Sequence, residues 1–216
     1  MAATTTKKDV MINKYIKSIS IMSKSTAREY WKRLSNFQMF IGNEYGILST
    51  TDLIVKIGKR ILDVYDILNG YSAYQQQNYT ISTLTLKQRV VTVKNFFEYY
   101  DVDVSPRKFK LKVKLPRIIK RNKEALSKED VIDILNVCSD IKLKTYVMLL
   151  ASTGMRAVEA LSIRIRDLDL KSSPAKLFVR GEYTKTRTDR TVFLTEEMVQ
   201  QLNSVKLQIQ NQKSML

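Results

Sequence analysis

The 216-residue sequence contains no histidine and a single cysteine, Cys138. Without histidine the chain lacks the commonest general base, the usual zinc ligand and every Ser-His or Cys-His nucleophile. A lone cysteine excludes an internal disulfide and any multi-cysteine metal site and fits a reducing compartment, so Cys138 reads as a small core residue. Long hydrophobic runs are missing as well. The longest, "YVMLLA", is far short of the roughly 20 residues that cross a bilayer. The start, "MAATTTKKDV", lacks the apolar segment of a signal peptide, and the first arginine is Arg28. These absences lead to the expectation of a soluble, cytoplasmic protein that neither spans a membrane nor needs a cofactor or metal. Acidic residues are few: 21 Asp and Glu stand against 37 Lys and Arg, a net charge of +16. Such an excess favours a polyanionic partner, nucleic acid first and an anionic membrane surface second.

What is present is enough apolar residue, 44%, to build real cores in one large domain or two small ones. From residue 8 to about 101 the pattern is helical. "TAREYWKRLSNFQMFIGNEYG" offers Thr26 and Glu29 as a capping box, an apolar face through Tyr30, Leu34, Phe37 and Ile41, and Gly46 as a stop. The spacing predicts a helix over about 26–44. One or two shorter helices follow in residues 52–78. Another places Val90, Val93, Phe97 and Tyr100 on one face, which completes a bundle of four or five helices.

Residues 107–123 then hold nine basic residues and no acidic one, flanked and interrupted by Pro106 and Pro116. In "KFKLKVKL" lysines alternate with apolar residues, so an extended chain would put Lys108, Lys110, Lys112 and Lys114 on one face, able to track a row of phosphates. Arg117, Lys120 and Arg121 extend the same basic stretch. Beyond it, Ser127 caps a helix, a second helix covers about 141–152 and a third about 156–163. "AKLFVRG" and "RTVFLT" read as a hairpin, and an amphipathic helix starts at Thr195. The fold class is therefore mainly α with a small β-hairpin or sheet. The division expected is a helical domain over 1–105, a basic linker over 106–124 and an α+β unit over 125–216.

The segment "LLASTGMRAVEALSI" is apolar apart from Arg156 and Glu159. With Arg156 at a helix start the two lie at i and i+3, so the carboxylate can hold the guanidinium for contact with a phosphate, or the two can form an ordinary buried pair. Lys185, in the basic connection "YTKTRTDR", is a candidate proton donor delivered by a hairpin tip.

"STGMRAVEALSIRIRDLDL" followed by "KLFVRGEYTKTRTDRTVFL" resembles the first half of the catalytic domain of tyrosine recombinases, the phage integrase family, and the helical unit before it is similar to that family's core-binding DNA-binding domain. The resemblance implies that Arg156 is the first catalytic arginine, Glu159 its acidic support and Lys185 the hairpin lysine that protonates the leaving 5′ oxygen, with "RTVFL" and Arg190 as the anchor for that match. It implies double-stranded DNA as partner, other recombinase protomers as companions, a prokaryotic or viral origin, and strand exchange through a phosphotyrosine link without metal or ATP. The sequence departs from the family downstream of Lys185. The family's His-x-x-Arg box and nucleophilic tyrosine have no match, the last tyrosine being Tyr183. The expectation is a truncated recombinase that binds DNA and does not cleave it alone. The alternatives are a non-catalytic accessory DNA-binding factor and an unrelated basic RNA-binding protein.

Overall fold

Eight helices in succession begin at a serine or aspartate whose side chain accepts backbone N–H bonds: Asp9, Ser23, Ser49, Asp63, Ser82, Ser105, Ser127 and Asp140. They open α1 (Val10–Met22), α2 (Lys24–Tyr45), α3 (Thr50–Gly58), α4 (Val64–Asn78), α5 (Thr83–Tyr99), α6 (Pro106–Lys112), α7 (Lys128–Val137) and α8 (Ile141–Thr153). The computed structural model describes residues 9–118 and 124–213, and side chains as far as Lys206. Two compact units divide the chain, Met1–Arg121 and Asn122–Leu216.

In the first unit α1 to α5 surround an aromatic core. Leu34, Phe37 and Ile41 on α2, Leu68 and Tyr71 on α4, and Val90, Val93, Phe96 and Phe97 on α5 are fully buried. Phe37 packs edge-on against Tyr71 (5.2 Å between centroids) and Phe97 (5.7 Å). The face expected on α2 is the buried one, with Tyr30 at its margin. The expected capping box does not form: the helix starts two residues earlier, Ser23 caps it, and Glu29 is bonded to Lys32 at 2.9 Å. Asp9 caps α1 and also accepts from the Thr50 amide and hydroxyl, both at 2.7 Å, which ties α1 to the start of α3.

The lysine row is corrected. Residues 106–112 form a helix because Ser105 caps it and Pro106 sits in its first turn, where a missing N–H costs nothing. Phe109 and Val113, one turn apart, pack into the first unit's core, so the alternation reflects a helix with two inward apolar positions. At about 100° per residue, Lys108 and Lys112 flank one side of α6 and Lys110 the other. Lys112 lies 3.4 Å from Asp63 and over the ring of Tyr65. Lys114 and Arg117 are exposed in the extended stretch that follows, and Lys120 and Arg121 lie outside the described residues.

The second unit adds α9 (Ala157–Leu161), a three-stranded antiparallel sheet of β1 (Leu168–Asp169), β2 (Lys176–Val179) and β3 (Arg190–Phe193), and α10 (Glu196–Lys213). The hairpin is as expected, with Leu177 opposite Val192, while β1 is an addition. Leu177, Val179, Leu194 and Met198 are buried against Leu149 and Met155. Cys138, expected in the core, is half-buried at the end of α7. No helix among the described residues is long and apolar enough to cross a membrane.

Candidate phosphate-binding site

Helix α9 breaks the capping rule. Its first flanking residue is Arg156, which has no side-chain acceptor, and the cap comes instead from within the helix: the Glu159 carboxylate takes the Arg156 backbone N–H at 2.8 Å. The chain enters α9 through Gly154, which ends α8 in a left-handed conformation (φ 63°) that a side chain would disfavour. Met155 is buried just before Arg156, so the turn is anchored on its apolar side and open on its charged side.

Glu159 is 1% exposed. Its carboxylate is saturated by two arginines. Arg156 donates from Nη1 to Oε1 at 3.0 Å, and Arg190, the first residue of β3, bonds both oxygens, Nη1 to Oε1 at 3.0 Å and Nη2 to Oε2 at 2.6 Å. The Arg190 hydrogen bonds outweigh the opposing effect of burial and, with the Arg156 bonds, pull the Glu159 pKa down to about 2; the Arg190 pKa rises in return. One negative charge therefore sits beneath two positive ones. Arg190 is the bidentate, part-buried partner, while the Arg156 side chain is 58% exposed. The geometry leaves about one positive charge, carried by a guanidinium fixed at one nitrogen and open at the others.

The same device recurs eight residues on. Asp167, buried, accepts the Arg164 backbone N–H at 2.9 Å and is held by Arg180 at 2.7 Å. Burial raises the Asp167 pKa, and the bonds from Arg164 and Arg180 overcome it to give a lowered value. Arg180 also lies over Tyr183, whose hydroxyl accepts from Arg164 at 3.3 Å. The spacing Arg-x-x-Glu followed by Arg-x-x-Asp was the visible trace of this repeat; Arg190 and Arg180, which complete the two units, are remote in sequence and were missed as partners.

Lys185 lies in the connection between β2 and β3, which closes tightly on the buried Thr184. The Thr184 hydroxyl sits between the carbonyls of Gly181 (3.0 Å) and Thr188 (3.2 Å) and accepts the Thr188 amide at 3.0 Å. A Cβ on Gly181 would stand 2.8 Å from the Arg187 carbonyl oxygen, so glycine is required there. Lys185 is exposed on this frame and is not bonded to Arg156 or Glu159. Arg156, Glu159 and Arg190 are thus brought together, and Lys185 is not joined to them. Among the described residues no cluster of three His, Cys, Asp or Glu side chains is placed to hold a metal.

Residues 124–214 match the model of the phage integrase family. The tyrosine recombinase XerA of Saccharolobus solfataricus is 30% identical over 115 residues, 53% of this chain and 36% of that protein. Both matches support the resemblance to tyrosine recombinases seen in the sequence, the family model over residues 124–214 alone. A tyrosine recombinase of Thermosipho africanus is 21% identical over 196 residues, 88% of this chain and 63% of its own length. The crystal structure of the XerH site-specific recombinase bound to its palindromic difH substrate shares the fold, with a TM-score of 0.56 at 19% identity, over 91% of this chain and 56% of that one. The chain thus spans between about a third and two thirds of the length of the recombinases it matches. The family match over residues 124–214 speaks against the reading as an unrelated RNA-binding protein.

Proposed function

We propose that this chain binds double-stranded DNA and takes part in site-specific recombination, with Arg156 presented to a phosphate by Glu159 and Arg190. The observation that supports this most is the one positive charge left over at a saturated, buried carboxylate. A structural ion pair needs one arginine, and here a second, exposed arginine is aligned on the same carboxylate with donors to spare. Within this reading Lys185 supplies a proton when its connection meets DNA, and the first unit together with Lys108, Lys110, Lys112, Lys114, Arg117, Lys120 and Arg121 carries much of the non-specific affinity. XerH, similar in fold, is bound to its difH substrate in its crystal structure. The 216 residues contain no histidine and no tyrosine beyond Tyr183. The reading therefore assigns binding and positioning to this chain and the cleaving nucleophile to residues outside it.

The test is binding of duplex oligonucleotides at increasing salt, paired with a nicked substrate that traps covalent intermediates. Affinity should fall with a log–log slope of about −0.9 per phosphate contact, and no protein–DNA adduct should survive SDS. Absence of duplex binding at low salt would overturn the reading, and an adduct on any tyrosine of this chain would overturn the assignment of the nucleophile.

A further inference from the structure

The core of the first unit is aromatic except along one seam, where α2, α4 and α5 meet. There Gln75, fully buried, and Thr92, 1% exposed, stand among phenylalanines and tyrosines. Buried amides and hydroxyls in such a core need partners, and theirs are two arginines at the surface edge. Arg33 on α2 donates from Nη1 to Thr92 at 3.1 Å and from Nη2 to Gln88 Oε1 at 3.0 Å, with its guanidinium 5.8 Å from the centre of the Tyr30 ring. Arg89 on α5 donates to Gln75 Oε1 and lies 5.3 Å from the Tyr79 ring centre. Asn36 extends the Arg89 half: its amide donates to the Tyr79 hydroxyl at 2.9 Å, and its carbonyl accepts from Tyr71 at 3.2 Å and from Gln75, while the Tyr71 hydroxyl also lies 3.4 Å from the Arg33 backbone carbonyl.

Every hydrogen-bond acceptor in this network is neutral. Among the described residues no carboxylate lies within ion-pair distance of Arg33 or Arg89; Glu29, one turn before Arg33, is bonded to Lys32, and the Arg33 charge reaches it only at longer range. This is the opposite of the second unit, where the part-buried arginines Arg180 and Arg190 are each compensated by an acid. Arg33 and Arg89 keep a full charge and a fixed plane, set by hydrogen bonds and by a stacked ring, with further N–H donors left over. A scaffold that needed only to close the seam would do so with apolar side chains or with an Arg–carboxylate pair.

We infer that Arg33 and Arg89 form a preorganised contact for the phosphodiester backbone of double-stranded DNA, Arg33 held by Thr92 and Gln88 and Arg89 by Gln75 and its partner Asn36. The inference rests on the proposed DNA binding and assigns it a surface. Two guanidiniums fixed by hydrogen bonds and rings can each take a phosphate with little loss of side-chain freedom, whereas the exposed Lys108, Lys110 and Lys114 have no such frame.

Gln88→Glu tests this without disturbing the fold. Gln88 is exposed and offers Arg33 only an acceptor oxygen, so a carboxylate keeps the hydrogen bond and cancels the charge. Lys56→Gln, an exposed lysine on α3, serves as a charge-matched control. With the full chain and a random-sequence duplex, the inference expects Gln88→Glu to keep or raise the melting temperature and weaken binding roughly five- to ten-fold at 0.1 M salt, lowering the salt slope by about 0.9, one phosphate contact. Lys56→Gln should change both far less. Arg33→Lys, which keeps charge but loses the fork, should retain most of the slope and lose affinity. Equal losses in Gln88→Glu and Lys56→Gln, or no loss in Gln88→Glu while the wild type binds, would overturn the inference and leave the DNA reading standing. Failure of the wild type to bind any duplex would overturn both.

Discussion

The two units solve the problem of a small core in different ways. Among the described residues the first buries twenty hydrophobic residues in one cluster, rich in phenylalanine and tyrosine, and Val113, just after α6, closes it. Among its described residues the second buries eight, and an apolar groove of about 450 Å3 is bordered by Tyr146, Leu149, Leu161, Ile163 and Leu202. Beside this smaller cluster, the second unit relies on two buried carboxylates held by Arg190 of β3 and by Arg180 just after β2. The lesson is that the charges which suit a phosphate site are also part of the fold there, whereas the first unit's charged seam lies on a core that is already closed.

If that contrast is right, the first unit should break by cavity and the second by charge. Phe97→Ala, which removes a fully buried ring packed on Phe37 and Phe96, should cost about 3 to 5 kcal/mol and collapse the first transition in chemical denaturation. Arg190→Ala should cost the second unit on the order of 3 kcal/mol, because Glu159 stays buried with one exposed arginine in place of a bidentate partner. The first transition should not move.

Acid sharpens the same comparison. The folded-state pKa of Glu159, about 2, lies below the ordinary carboxylate value of 4.5, so its stabilisation is complete above about pH 4.5 and is lost as pH falls towards 2. Thermal melts between pH 5 and pH 2 should show the second unit losing stability across this window. Arg190→Ala should flatten that dependence. A smaller effect belongs to Gly154→Ala, where a Cβ meets open space and the left-handed backbone alone opposes it, at about 1 kcal/mol. Its main expected consequence is weaker DNA binding through a displaced Arg156, read by the same salt titration.

Much of the helical architecture was legible because it is written locally. The Leu34, Phe37 and Ile41 spacing, the stop at Gly46, the Ser127 cap and the two hairpin strands all depend on neighbours within a few residues. The α6 segment misled because Phe109 and Val113 are as compatible with one helical turn as with a strand, and only the rest of the core decides between them. Arg156 and Glu159 were legible as a pair for the same reason of short spacing. Arg190 lies 31 residues from Glu159, and Arg33 meets Gln88 and Thr92 at separations of 55 and 59, so no periodicity announces them.

The most direct test of the central claim, that Glu159 and Arg190 form the support and Arg156 the contact, is Arg156→Ala assayed for melting temperature and duplex binding beside Arg190→Ala. With Arg190 still bidentate, Arg156→Ala should lose less than about 1 kcal/mol, keeping its melting temperature within a few degrees, while its affinity for DNA falls and the salt slope drops by about one contact. A large fall in melting temperature with unchanged DNA binding would contradict the account and make Arg156 a structural partner of Glu159.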